Sequence, residues 1–260
     1  MIVSVITVTC NRSSFLPALL KCYQEQTYSH SEMEWLILDD SPEEEQEHTQ
    51  ELIYAFLKEN ENRGLRGRLL SDGQSPLESR CPPLNIRYIR SNTKHVMGKK
   101  LNLIASLCRG SIIVVMDDDD YYPPTRVSTV VEAFHQNPTY NLAGCSKVYM
   151  YFQEEEAIYV AGPYHEKHAI HCTMAYRASY LRDHAYDDEE VCAIEKVFTN
   201  NFTEPMIQLD TMRTILHTVH SNNTYKKKKD VTGLRLTDYT RDTWLRTGQL
   251  WVPLNKKHDI

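Results

Sequence analysis

The chemistry of this chain gathers first at four consecutive carboxylates, Asp117, Asp118, Asp119 and Asp120, directly after the apolar run Ile112–Met116. A β-branched run of this kind reads as a strand buried on both faces, as in a mostly parallel sheet. Carboxylates at the end of such a strand stand at the carboxyl edge of the sheet, where open α/β folds bind their ligands. Four acids so close together repel one another unless a counter-charge sits among them. A divalent cation supplies that charge, and oxygen-rich donor sets suit hard ions, so Mn²⁺ or Mg²⁺ is the expected cofactor. Charge runs are commonly solvated loops; the abrupt place of this one after a buried strand favours a metal-assisted site.

Two further strand ends carry polar groups. Ile2–Val8 runs into Thr9-Cys10-Asn11-Arg12, and Glu34–Leu38 runs into Asp39-Asp40-Ser41. In a parallel sheet these tips and the aspartates converge on one edge. Either alone is weak, because Asp and Asn start turns and cap helices everywhere; Gly98-Lys99-Lys100-Leu101-Asn102 adds basic groups ahead of a helix. In the second half, the run 187–198 is rich in acids, and His217 and His220 close an apolar stretch just before Ser221-Asn222-Asn223-Thr224. Lys226–Lys229 reads as a solvated loop, with a lid over an anionic ligand as the alternative. His171-Cys172-Thr173-Met174-Ala175-Tyr176 reads as pocket lining, and a Cys–His nucleophile there lacks a visible orienting group.

The elements that position these residues alternate strand and helix in the first half. Ser13 or Ser14 caps a helix to about Gln26, with Leu16, Leu19, Leu20 and Tyr23 at helical spacing. A helix over Glu43–Asn60, a strand at Ile86–Ile89 and a helix over Leu101–Leu107 follow, and residues 61–84 read as a surface insertion of low order. The βαβ alternation predicts a doubly wound sheet with right-handed crossovers and helices on both faces. Beyond it, the pattern predicts a helix from Pro123 to Phe134, antiparallel strands at Asn141–Tyr151 and Ala157–Val160, and a strand at His171–Tyr176. Helices near Ser179–His184 and Glu189–Thr199, a strand at Thr211–Val219 and a helix at Asp238–Thr247 complete it. With no repeat and no clean linker, residues 1–260 read as a single domain, with a nucleotide-binding lobe over 1–120 and an acceptor or catalytic lobe over 121–260.

Composition narrows the function classes. A chain of 260 residues with 41% hydrophobic content can bury one sizeable core. A net charge of −6 and a pI near 6.0 argue against a general nucleic-acid or membrane-surface binder. Seven scattered cysteines without a C-x-x-C pair fit reduced packing residues and a cytoplasmic setting rather than a disulfide framework. No signal peptide or membrane-spanning segment is expected. The Asn-x-Ser/Thr matches at Asn11, Asn201 and Asn222 are short and carry no weight without a secretion signal.

In order along the chain, Thr9–Arg12, Asp39-Asp40-Ser41-Pro42, Gly98–Asn102, Ala105–Gly110 and Asp117–Pro124 resemble the motifs of GT-A fold, family 2-like glycosyltransferases. The chain is similar to the stand-alone transferases of bacteria and large DNA viruses, over about residues 1–135 and more loosely to 224. The resemblance implies a Rossmann-like sheet with a smaller mixed acceptor lobe, and inverting transfer from a UDP-sugar. It implies that Asp39, with or without Asp40, binds uracil or ribose, that Thr9 and Arg12 line the same pocket, and that Lys100 meets the diphosphate or the base. Asp119 is implied as a metal ligand and Asp117 as a ribose or metal-water contact, with Asp118 and Asp120 in alternative registers. His220 resembles a late histidine metal ligand. The catalytic base is expected at Glu195, with Asp188 and Asp187 in reserve, because Ile194 stands where relatives carry a first acid. The donor sugar defaults to glucose; the acceptor is a glycan, a protein or a lipid-linked sugar, and a homodimer is compatible with this reading. A nucleotidyltransferase would open with a glycine-rich phosphate loop, which Thr9–Arg12 is not. A non-catalytic nucleotide- or glycan-binding module of the same fold is the other alternative.

Overall fold

A computed structural model describes residues 1–62, 67–69, 84–223 and 233–247. Most of the expected insertion at 61–84 and the Lys226–Lys229 loop lie outside the described residues.

Strands β1 (Val3–Thr9), β2 (Met33–Asp39), β4 (Leu84–Arg90) and β5 (Ile112–Val115) form the centre of an eight-stranded sheet. The three residues of β3 (Gly67–Leu69) pair parallel with β4. Order across the sheet is β10-β6-β9-β5-β1-β2-β4-β3, where β6 is Leu142–Gly144, β9 is Ala175–Arg177 and β10 is Met206–Gln208. All neighbours are parallel except at β9, which runs antiparallel to both β5 and β6. The large sheet therefore recruits three strands from beyond residue 120.

Alternation along each strand splits the core between the two faces. Val3, Val5, Trp35, Ile37, Ile112 and Val114 pack with α1 (Leu16–Gln24), α2 (Glu43–Asn62) and α4 (Arg126–Gln136). Ile6, Val8, Leu36, Leu38, Ile113 and Val115 pack on the other face with α3 (Met97–Ser106). Helices thus cover both faces, as the continuous apolar strands require, and each fully buried Val, Leu or Ile contributes about 1.5–3 kcal/mol.

A second, four-stranded mixed sheet has the order β11-β7-β8-β12, with β7 at Val148–Phe152, β8 at Ala157–Ala161, β11 at His217–Val219 and β12 at Arg235–Leu236. The single strand expected at Asn141–Tyr151 is in fact β6 and β7 in different sheets, broken at Cys145-Ser146-Lys147. Periodicity cannot register a strand that changes sheets, because both segments are apolar.

Other corrections share one cause: short tertiary-held turns read as regular elements. The helix expected at Glu189–Thr199 is only α5 (Glu195–Phe198), preceded by turns. The helix expected at Ser179–His184 is a 3-10 turn, Ala178–Arg182, and the strands expected at His171–Tyr176 and Thr211–Val219 begin as 3-10 turns, His171–Thr173 and Thr211–Arg213, before β9 and β11. Helix α4 starts at Arg126 instead of Pro123, and α6 (Arg241–Thr247) three residues later than expected. Helix α3 starts earlier, at Met97, which places Gly98, Lys99 and Lys100 in its first turn. Ser13 opens a 3-10 turn before α1 without a side-chain cap.

Candidate active site

The tips of β5, β1 and β2 lie side by side, so Asp117–Asp120, Thr9–Arg12 and Asp39–Ser41 share one edge. Asn11, at φ +55°, makes the turn after β1, a conformation Asn tolerates, and its amide donates to Ser41 Oγ at 2.7 Å. The β1 and β2 tips are pinned together by that bond.

Thr9 Oγ1 donates to Asp118 Oδ2 at 2.7 Å. Arg12 Nη1 bridges Asp118 Oδ1 at 2.9 Å and Asp119 Oδ2 at 2.8 Å, while its Nη2 donates to the Asn222 carbonyl at 2.9 Å. Asp119 Oδ2 also meets His220 Nε2 and Asn223 Nδ2, each at 3.1 Å. The His220 ring stacks on Phe15 with centroids 4.7 Å apart. Residues more than 100 positions apart therefore converge on one carboxylate. Asp117 is half-buried, the least covered of the four side chains, and His171 Nδ1 stands 4.0 Å from its Oδ1. Its backbone amide is held by the Tyr122 hydroxyl at 2.7 Å.

The charge balance is uneven. Burial in the recess, then the charges of Asp120, Asp119 and Asp118, push the Asp117 carboxyl well above its ordinary range, with Arg12 opposing. Burial and Asp119 lift Asp118 to about 6 against the pull of Arg12 and Thr9. Burial also works against Asp119, but the His220 hydrogen bond and the Arg12 charge outweigh it and hold this carboxyl below its ordinary value. One arginine thus leaves the cluster short of positive charge. By donor chemistry, Asp117 and Asp119 offer carboxylate oxygens and His220 an imidazole nitrogen of the kinds that suit a divalent cation; Asp118 is engaged by Thr9 and Arg12, and Asp119 by Arg12, His220 and Asn223.

Asp120 turns away from that cluster. Its Oδ1 accepts from His217 Nδ1 at 2.7 Å and from the Thr218 amide at 2.8 Å, tying β11 to the β5 tip, and its Oδ2 is buried without a partner. Cys172 Sγ lies 3.9 Å from the same His217 nitrogen, and the three residues place potential ligand atoms within 4.8 Å of one another. A nucleophile–base–carboxylate relay uses opposite nitrogens of the imidazole. Asp120 and Cys172 both face Nδ1, so this geometry is not such a relay.

At the β2 tip, Asp39 is fully buried and accepts from the Ser41 amide at 2.9 Å, from the Ser41 hydroxyl, and from Tyr88 Oη at 2.7 Å. Asp40 pairs with Lys100 Nζ at 3.0 Å and accepts from the His95 amide at 2.8 Å. Lys100 is buried with it, so its ammonium braces α3 against the β2 tip.

Half-buried Glu195 opens α5, two residues after Ala193 at φ +51°. Asp188 is exposed and binds Lys99 Nζ at 2.6 Å and Asn102 Nδ2 at 2.7 Å; the Lys99 bond, then the Asn102 bond, hold its carboxyl below its ordinary value. Between the two acids and the aspartate turn stands Tyr186. Its hydroxyl meets His171 Nε2 at 3.2 Å, and its ring stacks on Phe198 of α5 at 4.0 Å. Burial, then Tyr176, Glu195 and Asp117, raise the Tyr186 phenol well above its ordinary value, which places it in the field of both carboxylates. Burial lowers His171 to about 3, so this imidazole is neutral.

Tyr186, Asn223, Phe15 and Tyr88 are contacts that the sequence reading missed. They sit outside any periodic pattern; Asn223 lay inside a dismissed Asn-x-Thr match, and a polar residue three places after His220 was its only signal.

Comparison with known proteins follows the same lines. A family model described as Glycosyl transferase family 2 matches residues 74–230. No curated protein matches the chain. The structure of S. aureus TarS 1–349 superposes with a TM-score of 0.60 at 16% identity, over 84% of this chain and 60% of that one. TarS 1–349 in complex with UDP-GlcNAc gives 0.61 at 16%, over 86% and 60%. The mannosyltransferase PcManGT from Pyrobaculum calidifontis, in complex with GDP-Man and Mn²⁺, gives 0.61 at 14%, over 85% and 58%. The chain thus spans about 60% of the length of these structures, and the likeness is one of fold. With the family model covering more than half of its 260 residues and the mostly parallel sheet matching these GT-A structures, the chain belongs to glycosyl transferase family 2.

Proposed function

We propose that this protein is a metal-dependent, inverting glycosyltransferase that moves a hexose, glucose by default, from a UDP-sugar to the hydroxyl of a glycan, protein or lipid-linked acceptor. The observation that carries this reading is the aspartate turn, short of positive charge, with the Tyr186 phenol in the field of both Asp117 and Glu195. The nucleotide-sugar complexes of TarS and PcManGT support the donor class, and the Mn²⁺ of PcManGT supports the cofactor.

In this reading Asp119, Asp117 and His220 hold Mn²⁺ or Mg²⁺, which when bound offsets charge on the diphosphate leaving group. Thr9 and Arg12 fix Asp118 and line the nucleotide pocket. Asp39 and Asp40 shape its base and ribose end, and Lys100 keeps Asp40 in place. Glu195 is the base. It takes the proton of the acceptor hydroxyl as that oxygen bonds to C1; the bond from C1 to the phosphate oxygen breaks, and its electron pair leaves with UDP. Attack opposite the leaving group inverts the anomeric centre. Asp188 supports the loop ahead of α5 through Lys99 and Asn102. Residues 1–120 act as the donor lobe and 121–260 as the acceptor lobe of one catalytic unit. The cysteines of the described residues, scattered and without a disulfide among them, fit a cytoplasmic setting. No described helix is long and apolar enough to cross a membrane.

Replacing Glu195 by Gln tests the assignment. UDP affinity in the presence of Mn²⁺, measured by calorimetry, should stay within about twofold, while transfer falls by about 10²–10⁴. Weak UDP binding in that variant would return Glu195 to a structural role.

A further inference from the structure

The carboxyl edge of the large sheet does not end at the aspartates. Strand β6 runs parallel to β5, since both are antiparallel to β9, and β10 is parallel to β6. The segments after β6 (Cys145–Lys147) and β10 (Leu209–Asp210) therefore open on the same edge, just past His171. There an open cavity of about 570 Å³ lies between the loop 163–166 and the turn 210–212. Its volume is that of a small-ligand site, about 300–1,000 Å³.

The chemistry of its walls is specific. Tyr164 is 47% exposed and Pro163 lies beside it, so flat apolar surface is on offer. Lys147, Glu166 and Asp210 supply hydrogen-bonding groups of both signs around it. The loop is braced in advance. The Tyr164 amide donates to the Ser146 carbonyl at 3.2 Å, and Gln208 joins both sides through the Ser146 amide (2.9 Å) and the Glu166 and His168 carbonyls (2.8 and 3.0 Å). A rigid site of this kind loses little ordering entropy on binding.

The cavity is also coupled to the base-bearing segment. Tyr164 packs on His168 with centroids 4.6 Å apart, and His168 stacks on Phe202 at 4.6 Å. Phe202 belongs to the turn directly after α5, where Asn200, Asn201 and Phe202 all adopt positive φ (49°, 56° and 58°). Runs of non-glycine residues in this left-handed region are strained and concentrate at functional sites. The Asn201 amide donates to the Lys196 carbonyl and anchors the turn to the helix of Glu195.

We propose that this cavity receives a carbohydrate acceptor, one to three sugar units long, and directs its hydroxyl toward Glu195. The proposal rests on the transferase reading above and selects among its acceptors. The electropositive C–H face of a pyranose matches the electron-rich face of Tyr164. Its hydroxyls match the two carboxylates and the ammonium, donating to the first and accepting from the second. An anionic ligand would meet Glu166 and Asp210 with one lysine to offset them, and a lipid chain would find charged groups where it needs an apolar bore.

The test uses the full chain with UDP-glucose and other UDP-hexoses, Mn²⁺, and fluorescently labelled mono- to tetrasaccharides of glucose, galactose, mannose, rhamnose and N-acetylglucosamine. Acceptor-free release of UDP is measured in parallel. The wild type should glycosylate at least one saccharide. Tyr164→Ala should raise the KM for it at least tenfold while UDP affinity in the presence of Mn²⁺ stays within about twofold, and Glu166→Gln should do so more weakly. Both side chains are exposed, so neither change threatens folding. Unchanged KM in both variants overturns the site. UDP release without transfer to any saccharide overturns the carbohydrate assignment and leaves the transferase reading standing. Absence of both UDP binding and UDP release in the wild type removes that reading, and the acceptor site with it.

Discussion

Asp119 carries more of this site than its neighbours, because Arg12, His220 and Asn223 all converge on one of its oxygens. Asp119→Asn keeps the shape and removes the charge that holds these three together. Metal-dependent donor turnover should fall by about three orders of magnitude, the scale of several kcal/mol that a bound cation contributes to a leaving diphosphate. Comparing UDP release with and without Mn²⁺ in the two proteins checks this; a residual metal response close to wild type would move the cation to another pair of aspartates. The sequence marks this turn as a candidate site, because a four-acid run after a buried strand has few physical explanations, and only the family resemblance singles out Asp119 within it. It did not make Lys100 legible in the same way. A basic residue near a phosphate site invites a phosphate contact, and only the folded register shows its ammonium 3.0 Å from Asp40.

At the scale of elements, the central strands were readable and short turns were not. Strands β1, β2 and β5 are buried along their whole length, which fixes their register. The stretch 187–194 holds its shape through contacts with α3, 85 to 95 residues earlier in the chain, which no local pattern encodes. Gly98 is the point of closest approach. It donates its amide to the Glu190 carbonyl at 3.1 Å, and a Cβ there would stand 1.8 Å from the Asp187 carbonyl oxygen. Gly98→Ala should push this loop off α3 and cost about 1–3 kcal/mol of stability, as overpacking does. On the proposed reading transfer should fall more than UDP affinity, since the loop leads into Glu195, while Lys100 in the same turn stays paired with Asp40. Thermal unfolding together with UDP titration separates these effects, and equal losses in both would deny the loop its catalytic bearing.

For the whole molecule, buried His171 sets part of the acid limit. Its folded value of about 3 lies below the ordinary 6.5, so the unfolded chain binds a proton that the folded one refuses. The stability it contributes is complete above about 6.5 and declines as pH falls toward 3, at up to about 1.4 kcal/mol per pH unit. His171→Asn should flatten that decline, which urea midpoints at pH 4 and pH 7 would show directly. An identical decline in wild type and variant would assign the acid limit to other groups.

The reversed strand β9 has a consequence in time as well as in space. Among the described residues it is the link by which β6 and β10 join β5, and its residues arrive more than 60 positions after the strand they flank. A chain emerging from the ribosome can therefore assemble β1, β2, β4 and β5 while one side of β5 stays unpaired, until Arg177 is free to reach Ile112. Long-range pairing of this kind is slow. The nascent protein should thus pass through a stage with β1, β2, β4 and β5 paired and β6, β9 and β10 not yet added. In pulse-labelled refolding, the amides of β2 should gain protection before those of β9.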